Sequence, residues 1–215
     1  MSTATILLGI IFVALYAAFL VWYGGQDKPL SAREVDTLLT EMQKRAGKQV
    51  QTEEEAPLLK QFRELAKSDD GGEYYMVNLL KFREKALYPV GSLYNDDPLA
   101  ANNRYNRAII PLLLKHGGMP VFDSRAQGRF IHPDDAEDWD HVAMVRYRSR
   151  RDMLKMALEL AGSGADIHKW AALEKTQVFP VKSLFNLTFI RGIVAVLLFV
   201  IALISKLILM GIGIQ

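Results

Sequence analysis

Two long apolar stretches without acidic residues lie near opposite ends of this chain, at residues 4–23 and at about 189–210. A helix of about 20 apolar residues is long enough to cross the hydrocarbon core of a bilayer. The segment between the two stretches is rich in charged residues, as globular domains are. We therefore expect a domain that is anchored in a lipid bilayer by one helix on each side.

The first stretch differs from a secretory signal peptide, which has a positive n-region and a cleavage site of small residues. Residues 1–26 contain no Lys or Arg, and the apolar run ends in Trp22 and Tyr23. Such aromatic side chains are typical of the interface between hydrocarbon and water. The sequence therefore predicts a transmembrane helix within residues 1–25.

The second stretch, within residues 187–212, contains two basic residues, Arg191 and Lys206. A long basic side chain near a helix end can extend to the membrane interface, whereas a charge deeper in the bilayer needs a partner. We expect Lys206 either to reach the far interface or to pair with a partner helix. In the first span, Ala14 and Ala18 lie about one helical turn apart, a spacing typical of helix-packing faces.

Basic residues near the membrane predict the orientation of the chain. Those on the side of the central segment are Lys28, Arg33, Lys169, Lys175, Lys182 and Arg191. The outer flanks hold only Lys206. We expect two spans in a bacterial inner membrane, with the central domain in the cytoplasm and both termini on the other side.

The composition excludes several kinds of chemistry. The chain has no cysteine, so disulfides, thiolate metal sites, iron–sulfur clusters and a cysteine nucleophile are absent. A net charge of +2 does not favour nucleic acid as a partner. The histidines lack metal-ligand spacing, and phosphate-loop, dinucleotide and nucleophile-elbow patterns are missing. We expect no metal and no cofactor, catalytic residues are unknown, and whether the protein is an enzyme stays open.

Residues 26–72 have the pattern of an amphipathic helical connector. Capping boxes at Ser31–Glu34 and Thr52–Glu55 each precede apolar residues at the 3.6-residue period. We expect two helices that link the membrane to the domain or pack on it.

The pattern changes from helix to strand at about Glu73. Residues 74–82 are rich in strand formers and apolar on both faces, so this strand should be covered on both sides. Further along the chain, the sequence predicts a helix at 98–116, strands at 119–131 and 140–148, a helix capped by Ser149, a helical stretch through Leu173 and a strand at 176–181. This βαββαβ order predicts an α+β, ferredoxin-like domain at 73–182.

The domain carries several distinctive motifs: Tyr-Met-Val-Asn-Leu-Leu-Lys-Phe at 75–82, Tyr105, His-Gly-Gly at 116–118, Trp-Asp-His-Val at 139–142 and Arg-Tyr-Arg-Ser-Arg at 146–150. Together they resemble the family of small bacterial proteins named for a domain of unknown function, DUF1330. The resemblance covers about residues 73–181 and implies a dimeric α/β barrel, in which the sheets of two subunits pair face to face. The family has no established general reaction. The wider superfamily includes cofactor-free monooxygenases and haem enzymes, but a fold does not transfer chemistry.

Four polar residues are candidates for a ligand pocket between the paired sheets. Asn78 lies within the first strand and is either a structural hydrogen-bonding group or a ligand contact. Arg146 is either half of an ion pair at the sheet rim or an anion anchor. His116 either caps the 98–116 helix or takes part in acid–base or haem chemistry, with Tyr105 on the same stripe as its partner or as a core residue.

Two classes of function remain. We favour an interaction, scaffold or accessory subunit of a membrane assembly, because anchoring at both ends comes without a catalytic motif. Its partners would be a second copy, a larger homo-oligomer or other membrane subunits. The alternative is a small-molecule binding protein, or an oxygenase-like enzyme that is cofactor-free or haem-dependent, acting on apolar compounds.

Overall fold

The computed structural model describes residues 3–24, 28–45, 57–184 and 190–211. The chain divides into two compact units, residues 1–24 with 184–215 and residues 25–183. The capping box predicted at Thr52–Glu55 and the predicted start of the second span at Phe189 lie outside the described residues.

The described residues form seven helices and one four-stranded antiparallel sheet, so the predicted α+β class is confirmed. In chain order the elements are α1 (Thr3–Tyr23), α2 (Ala32–Arg45), α3 (Pro57–Lys67), β1 (Tyr74–Phe82), α4 (Pro98–Lys115), β2 (Met119–Arg125), β3 (His141–Tyr147), α5 (Arg150–Leu160), α6 (Asp166–Ala172), β4 (Leu173–Val181) and α7 (Ile190–Gly211).

The helical unit consists of α1 and α7, each of which is long and apolar enough to cross a membrane. The Tyr16 hydroxyl donates a hydrogen bond to the Arg191 carbonyl at 3.2 Å, and the Arg191 guanidinium lies 4.9 Å from the centre of the Tyr23 ring. Both tyrosines belong to the second half of α1, whereas Arg191 belongs to the first turn of α7. The two helices therefore pack antiparallel.

The central domain is built on a sheet with the strand order β2-β3-β1-β4. Side chains at paired positions share a face of the sheet. One face carries Leu80, Phe82, Val145 and Tyr147, which pack against the two buried clusters of the helical layer. We call this the helix-covered face.

The opposite face, which we call the open face, has an apolar centre between Arg146 at one end and Lys81 at the other. Val77 lies at its centre and pairs with Met144 of β3 and with Phe179 of β4. Its other apolar members are Leu79, Phe122 and Val142. None of these side chains belongs to either buried cluster. Both faces of β1 therefore carry apolar side chains as predicted, and within the described residues the two buried clusters of the helical layer pack against one of them.

Local sequence signals explain where the helices begin. Asp97 caps α4 by accepting a hydrogen bond from the Leu99 amide at 2.8 Å, and Pro98 follows it at the first helical position. Ser149 caps α5 in the same way through the Asp152 amide. At the end of α4, Gly117 adopts a φ of 70°, a left-handed conformation that favours glycine and turns the chain into β2.

Two predicted element boundaries were wrong. The second strand was expected to continue to Ile131, but β2 ends at Arg125. The Ala126 amide bonds to the Asp140 carbonyl, which closes the base of a long loop. The last helical stretch was expected to include Leu173, but that residue begins β4 by pairing with Phe82.

Two adjacent aspartates, Asp69 and Asp70, join both ends of the central domain. The Leu30 amide donates to Asp69 Oδ2 at 2.8 Å, and the Lys182 ammonium forms an ion pair with Asp70. Lys182 holds the pKa of the Asp70 carboxyl below its usual range. The Arg150 guanidinium lies 3.5 Å from Asp69 and 3.7 Å from Asp70. The first and last segments of the domain thus meet at one turn.

Candidate functional site

Arg146 is completely buried, and its hydrogen bonds are made within the protein. The Nη2 atom donates to Glu73 Oε2 at 2.6 Å, and Nη1 donates to the Gly117 carbonyl at 2.9 Å. Arg146 pairs with Tyr75, so it belongs to the open side of the sheet. Its guanidinium connects the start of β1, the end of α4 and β3. This geometry corresponds to the ion-pair alternative.

His116 lies at the C-terminal end of α4, where its backbone amide bonds to the carbonyls of Leu112 and Leu113. Its Nε2 atom lies 3.1 Å from Glu159 Oε1 of α5. Lys115 bonds to the same carboxylate at 2.8 Å. Lys115 first, and then His116, hold the pKa of the Glu159 carboxyl below its ordinary value. The geometry at His116 is that of a helix cap joined to a neighbouring helix.

Asn78 lies on the helix-covered face, in register with Ala143 and Val178. Its side-chain amide donates to the Met76 carbonyl at 3.1 Å and to the Ala143 carbonyl at 3.4 Å. Asn78 and Arg146 therefore lie on opposite sides of the sheet. A pocket between paired open faces would not include Asn78.

Tyr105 lies on α4 beside a lysine that sequence analysis did not single out as a candidate. The Lys169 ammonium is 5.7 Å from the centre of the Tyr105 ring and 5.3 Å from that of Trp170. Burial, with a smaller effect of Asp166, raises the pKa of Tyr105 to about 12. Burial also lowers the pKa of Lys169. Tyr105 is therefore a neutral phenol at neutral pH, in contact with a half-buried cation.

A second group of polar side chains, which sequence analysis missed, joins α4, α6 and the segment after β1. We call Tyr88, Tyr94, Asn95, Arg104 and His168 the Arg104 cluster. Arg104 donates to the Tyr88 hydroxyl at 3.3 Å and to Asn95 Oδ1 at 2.7 Å. The Tyr88 hydroxyl lies 2.8 Å from His168 Nδ1. All the members of the cluster are thus directly connected or stacked.

The aromatic rings hold the cluster in a fixed geometry. The Tyr94 and His168 rings meet edge to face, with centroids 4.7 Å apart at 82°. The Arg104 guanidinium lies over the Tyr94 ring at 5.0 Å from its centre. Arg104 donates to Tyr88, which leaves the hydroxyl proton of Tyr88 for His168 Nδ1. We therefore assign the ring proton of the neutral imidazole to Nε2.

The electrostatics of the cluster keep the histidine neutral. Burial first, and then the nearby charge of Arg104, lower the pKa of His168 below its ordinary value of 6.5. Among the described residues, Arg104 bonds to two neutral oxygens, those of Tyr88 and Asn95. The cluster therefore presents one guanidinium charge beside a neutral imidazole whose Nε2–H is a donor.

The structure does not bring the four predicted pocket residues together. Asn78 bonds to backbone carbonyls on the helix-covered face, and Arg146 bonds on the open side. His116 pairs with Glu159 at the far end of α4. Tyr105 alone lies near the new cluster, because it follows Arg104 on α4 and contacts Lys169 on α6. No local pattern in the sequence identifies the Arg104 cluster, because its members come from separate segments of the chain.

The residues predicted at the membrane lie at the two ends of the helical unit. Trp22 and Tyr23 are at the end of α1, and Arg191 is in the first turn of α7. Lys206 lies in the last part of α7 and is exposed. On α1, Ala14 lines a shallow apolar groove of about 470 Å³ with Gly9 and Ala17 among its other residues, but Ala18 does not line it.

Comparison with solved structures shows a similar fold in a bacterial protein. The chain is similar to RPA0582, a protein of unknown function from Rhodopseudomonas palustris, with 28% sequence identity and a TM-score of 0.52. The match covers 62% of this chain and 97% of that one. A crystal structure of methylated RPA0582 gives the same identity and TM-score, with 95% of that chain covered. No protein-family model and no curated protein matches the chain. The shared fold is thus that of a shorter protein whose function is itself unknown.

Proposed function

We propose that this chain is a membrane-anchored subunit of an assembly, in which two central domains pair through the open faces of their sheets. The observation that carries the proposal is the apolar character of the open face. Val77, Leu79, Val142 and Met144 occupy neighbouring paired positions on β1 and β3. A contiguous apolar surface on a folded domain marks an interaction site.

The topology supports a specific form of this pairing. The chain order β1-α4-β2-β3-α5-α6-β4 and the sheet order β2-β3-β1-β4 agree with a ferredoxin-like arrangement that has one additional short helix. In such an arrangement the helices cover one face of the sheet, and the other face needs a partner. Our proposal is that the partner is a second copy, giving a dimeric α/β barrel of the kind implied by the resemblance to DUF1330.

The membrane helices extend the proposal from a dimer to an assembly. Each copy contributes α1 and α7, so a dimer would bring four spanning helices together in a bacterial inner membrane. Basic residues on the inner flanks, such as Lys28 and Arg33, support a cytoplasmic position for the domain. The helices would form the surface on which further copies or other membrane subunits assemble, and the protein would act as a scaffold or accessory subunit.

The proposal is tested by native mass spectrometry of the full chain in mild detergent. The wild-type chain is expected as a dimer or a larger even multiple. Val77→Glu combined with Met144→Glu is expected to give monomers, because face-to-face pairing would bury four unpaired carboxylates.

A matched control adds the same charge elsewhere. Leu58→Glu combined with Leu99→Glu replaces two exposed apolar side chains on α3 and α4 and should leave the oligomer unchanged. A monomeric wild-type chain, or an unchanged oligomer in the Val77 and Met144 variant, would show that the open face does not mediate assembly.

A further inference from the structure

The Arg104 cluster differs from the other basic groups of the central domain in its counter-charges. Most of the buried or half-buried arginines and lysines lie within 4 Å of a carboxylate; these are Arg63, Lys81, Arg146, Arg148, Arg150 and Arg151. Within the described part of the chain, the half-buried Arg83, Arg104 and Lys169 lack such a carboxylate. A half-buried cation that lacks a nearby carboxylate retains hydrogen-bond donors for an anionic ligand.

These three basic residues border the same short helix, α6. Lys169 belongs to α6, and Arg104 reaches His168 of that helix through the Tyr88 hydroxyl. The Arg83 amide bonds to the carbonyl of Ala172, the last residue of α6, at 3.0 Å. The Arg83 Nε atom is buried and has no acceptor among the described residues. Arg83, Arg104 and Lys169 therefore lie around one short helix, together with Asp166 of that helix and with Glu84 and Glu174 beside Arg83.

We infer that the Arg104 cluster is a binding site for the oxyanion of a small molecule, a carboxylate or a phosphate. Arg104 uses one hydrogen of Nη1 and one of Nη2 for Tyr88 and Asn95, which leaves further N–H donors in the same plane. A guanidinium oriented in this way suits the paired oxygens of a carboxylate or phosphate.

The remaining members of the cluster complete the site. His168 Nε2 makes no hydrogen bond to a described residue and supplies a neutral donor beside the guanidinium. The exposed ring of Tyr94 provides a flat apolar surface next to these donors. Lys169, which follows His168 on α6, contributes positive potential. The ligand is therefore expected to combine one oxyanion with a planar or apolar body.

Isothermal titration calorimetry on the full chain in zwitterionic lipid nanodiscs tests the inference, with inorganic phosphate and benzoate as separate probes. We expect saturable binding of at least one probe. Arg104→Gln should weaken that binding by about tenfold or more, because charge-assisted bonds to the oxyanion are lost. Arg107→Gln removes the same charge from an exposed position on the same helix and should leave the affinity within about twofold.

A second variant covers the case in which Arg104→Gln does not fold. Lys169→Met retains the long apolar stem, and it should weaken binding several-fold, whereas Lys155→Met at an exposed position of α5 should not. Circular dichroism establishes which variants are folded. Absence of saturation by about 10 mM of either probe would overturn the inference. The inference would also be overturned if the Arg104 and Arg107 variants bound the probe with equal affinity. If Arg104→Gln is unfolded, equal affinities of the Lys169 and Lys155 variants would have the same meaning.

The same titration distinguishes two sources of the oxyanion. If the oxyanion belongs to a lipid headgroup, an anionic lipid in the nanodiscs would compete with phosphate for the site. The apparent affinity for phosphate would then be lower than in zwitterionic nanodiscs. An unchanged affinity would assign the oxyanion to a soluble compound. The Arg104 cluster lies apart from the open face. A variant can therefore lose probe binding without losing dimer formation, and the two proposals can fail independently of each other.

Discussion

The guanidinium of Arg146 and the carboxylate of Glu73 form an ion pair in which the arginine is completely buried and the glutamate is about one-third exposed. Their closest atoms, Nη2 and Oε2, are 2.6 Å apart. Removing one partner of such a pair leaves an uncompensated charge in a dry environment, which costs more than the intact pair contributes.

Glu73→Ala is therefore expected to destabilise the central domain by about 2 to 3 kcal/mol, less than for a fully buried pair because Glu73 is partly exposed. Urea unfolding of the full chain, followed by circular dichroism in one detergent, measures this loss. Lys115→Ala, which breaks the more exposed pair with Glu159, should cost less than about 1 kcal/mol. Equal losses in the two variants would mean that burial of Arg146 does not set the cost.

His168 is expected to make the domain less stable in mild acid. Its pKa is lowered in the folded protein, so the unfolded chain binds a proton more readily. The stabilising contribution of the neutral imidazole is complete above the ordinary pKa of 6.5 and is lost as the pH falls through the lowered folded value. Thermal unfolding between pH 8 and pH 5 should show a steeper decrease for the wild-type chain than for His168→Gln.

His132 provides the control for this pH dependence, because it is exposed. His132→Gln should retain the wild-type slope of stability against pH. If His168→Gln also retained that slope, another group would be responsible for the acid sensitivity.

The membrane helices are expected to contribute to assembly through Ala14, Ala18 and Lys206. Ala14→Phe, Ala18→Phe and Lys206→Glu in one chain should reduce the oligomer size in native mass spectrometry, because bulky side chains separate closely packed helices. Val13→Phe with Leu20→Phe adds bulk at exposed apolar positions on a different face of α1 and should leave the oligomer size unchanged. An unchanged oligomer mass in the triple variant would mean that the central domain alone mediates assembly.

The orientation of the chain can be measured by labelling, because the sequence contains no cysteine. A membrane-impermeant maleimide applied to spheroplasts should label Thr3→Cys, whereas Val90→Cys should react only after lysis. Val90 is suitable because it is fully exposed in the turn before Gly91. Labelling of Val90→Cys in intact spheroplasts would reverse the proposed orientation.

The elements that the sequence predicts well are those whose local signals agree with their packing. The strand at 74–82 has strand formers on both faces, and Asp97 and Ser149 mark helix starts through side-chain caps. The end of β2 was missed because Phe130 and Ile131 have strand propensity, although both are exposed in a loop closed by the bond from Ala126 to Asp140. Pairing across the sheet, rather than propensity, decides such boundaries.

The Arg104 cluster illustrates what local patterns cannot reveal. Tyr88, Arg104 and His168 are far apart in the sequence, and each one alone is compatible with an ordinary surface position. Their contact depends on how the segment after β1 crosses α4 and α6, which no spacing rule encodes. By contrast, the ion-pair alternative for Arg146 was available from the sequence, because a basic residue within an apolar strand needs a nearby acid.

The turn at Asp69 and Asp70 has a consequence for how this architecture can be altered. Leu30, near the first described residue of the domain, and Lys182, near its last, are bonded to neighbouring carboxylates. A domain whose ends lie side by side can be inserted into another protein or removed from it without separating the flanking segments. In the chain, the central domain lies between the two helices of the helical unit. Replacing it with a short linker should leave a two-helix protein, and the same domain could be transplanted into unrelated hairpins.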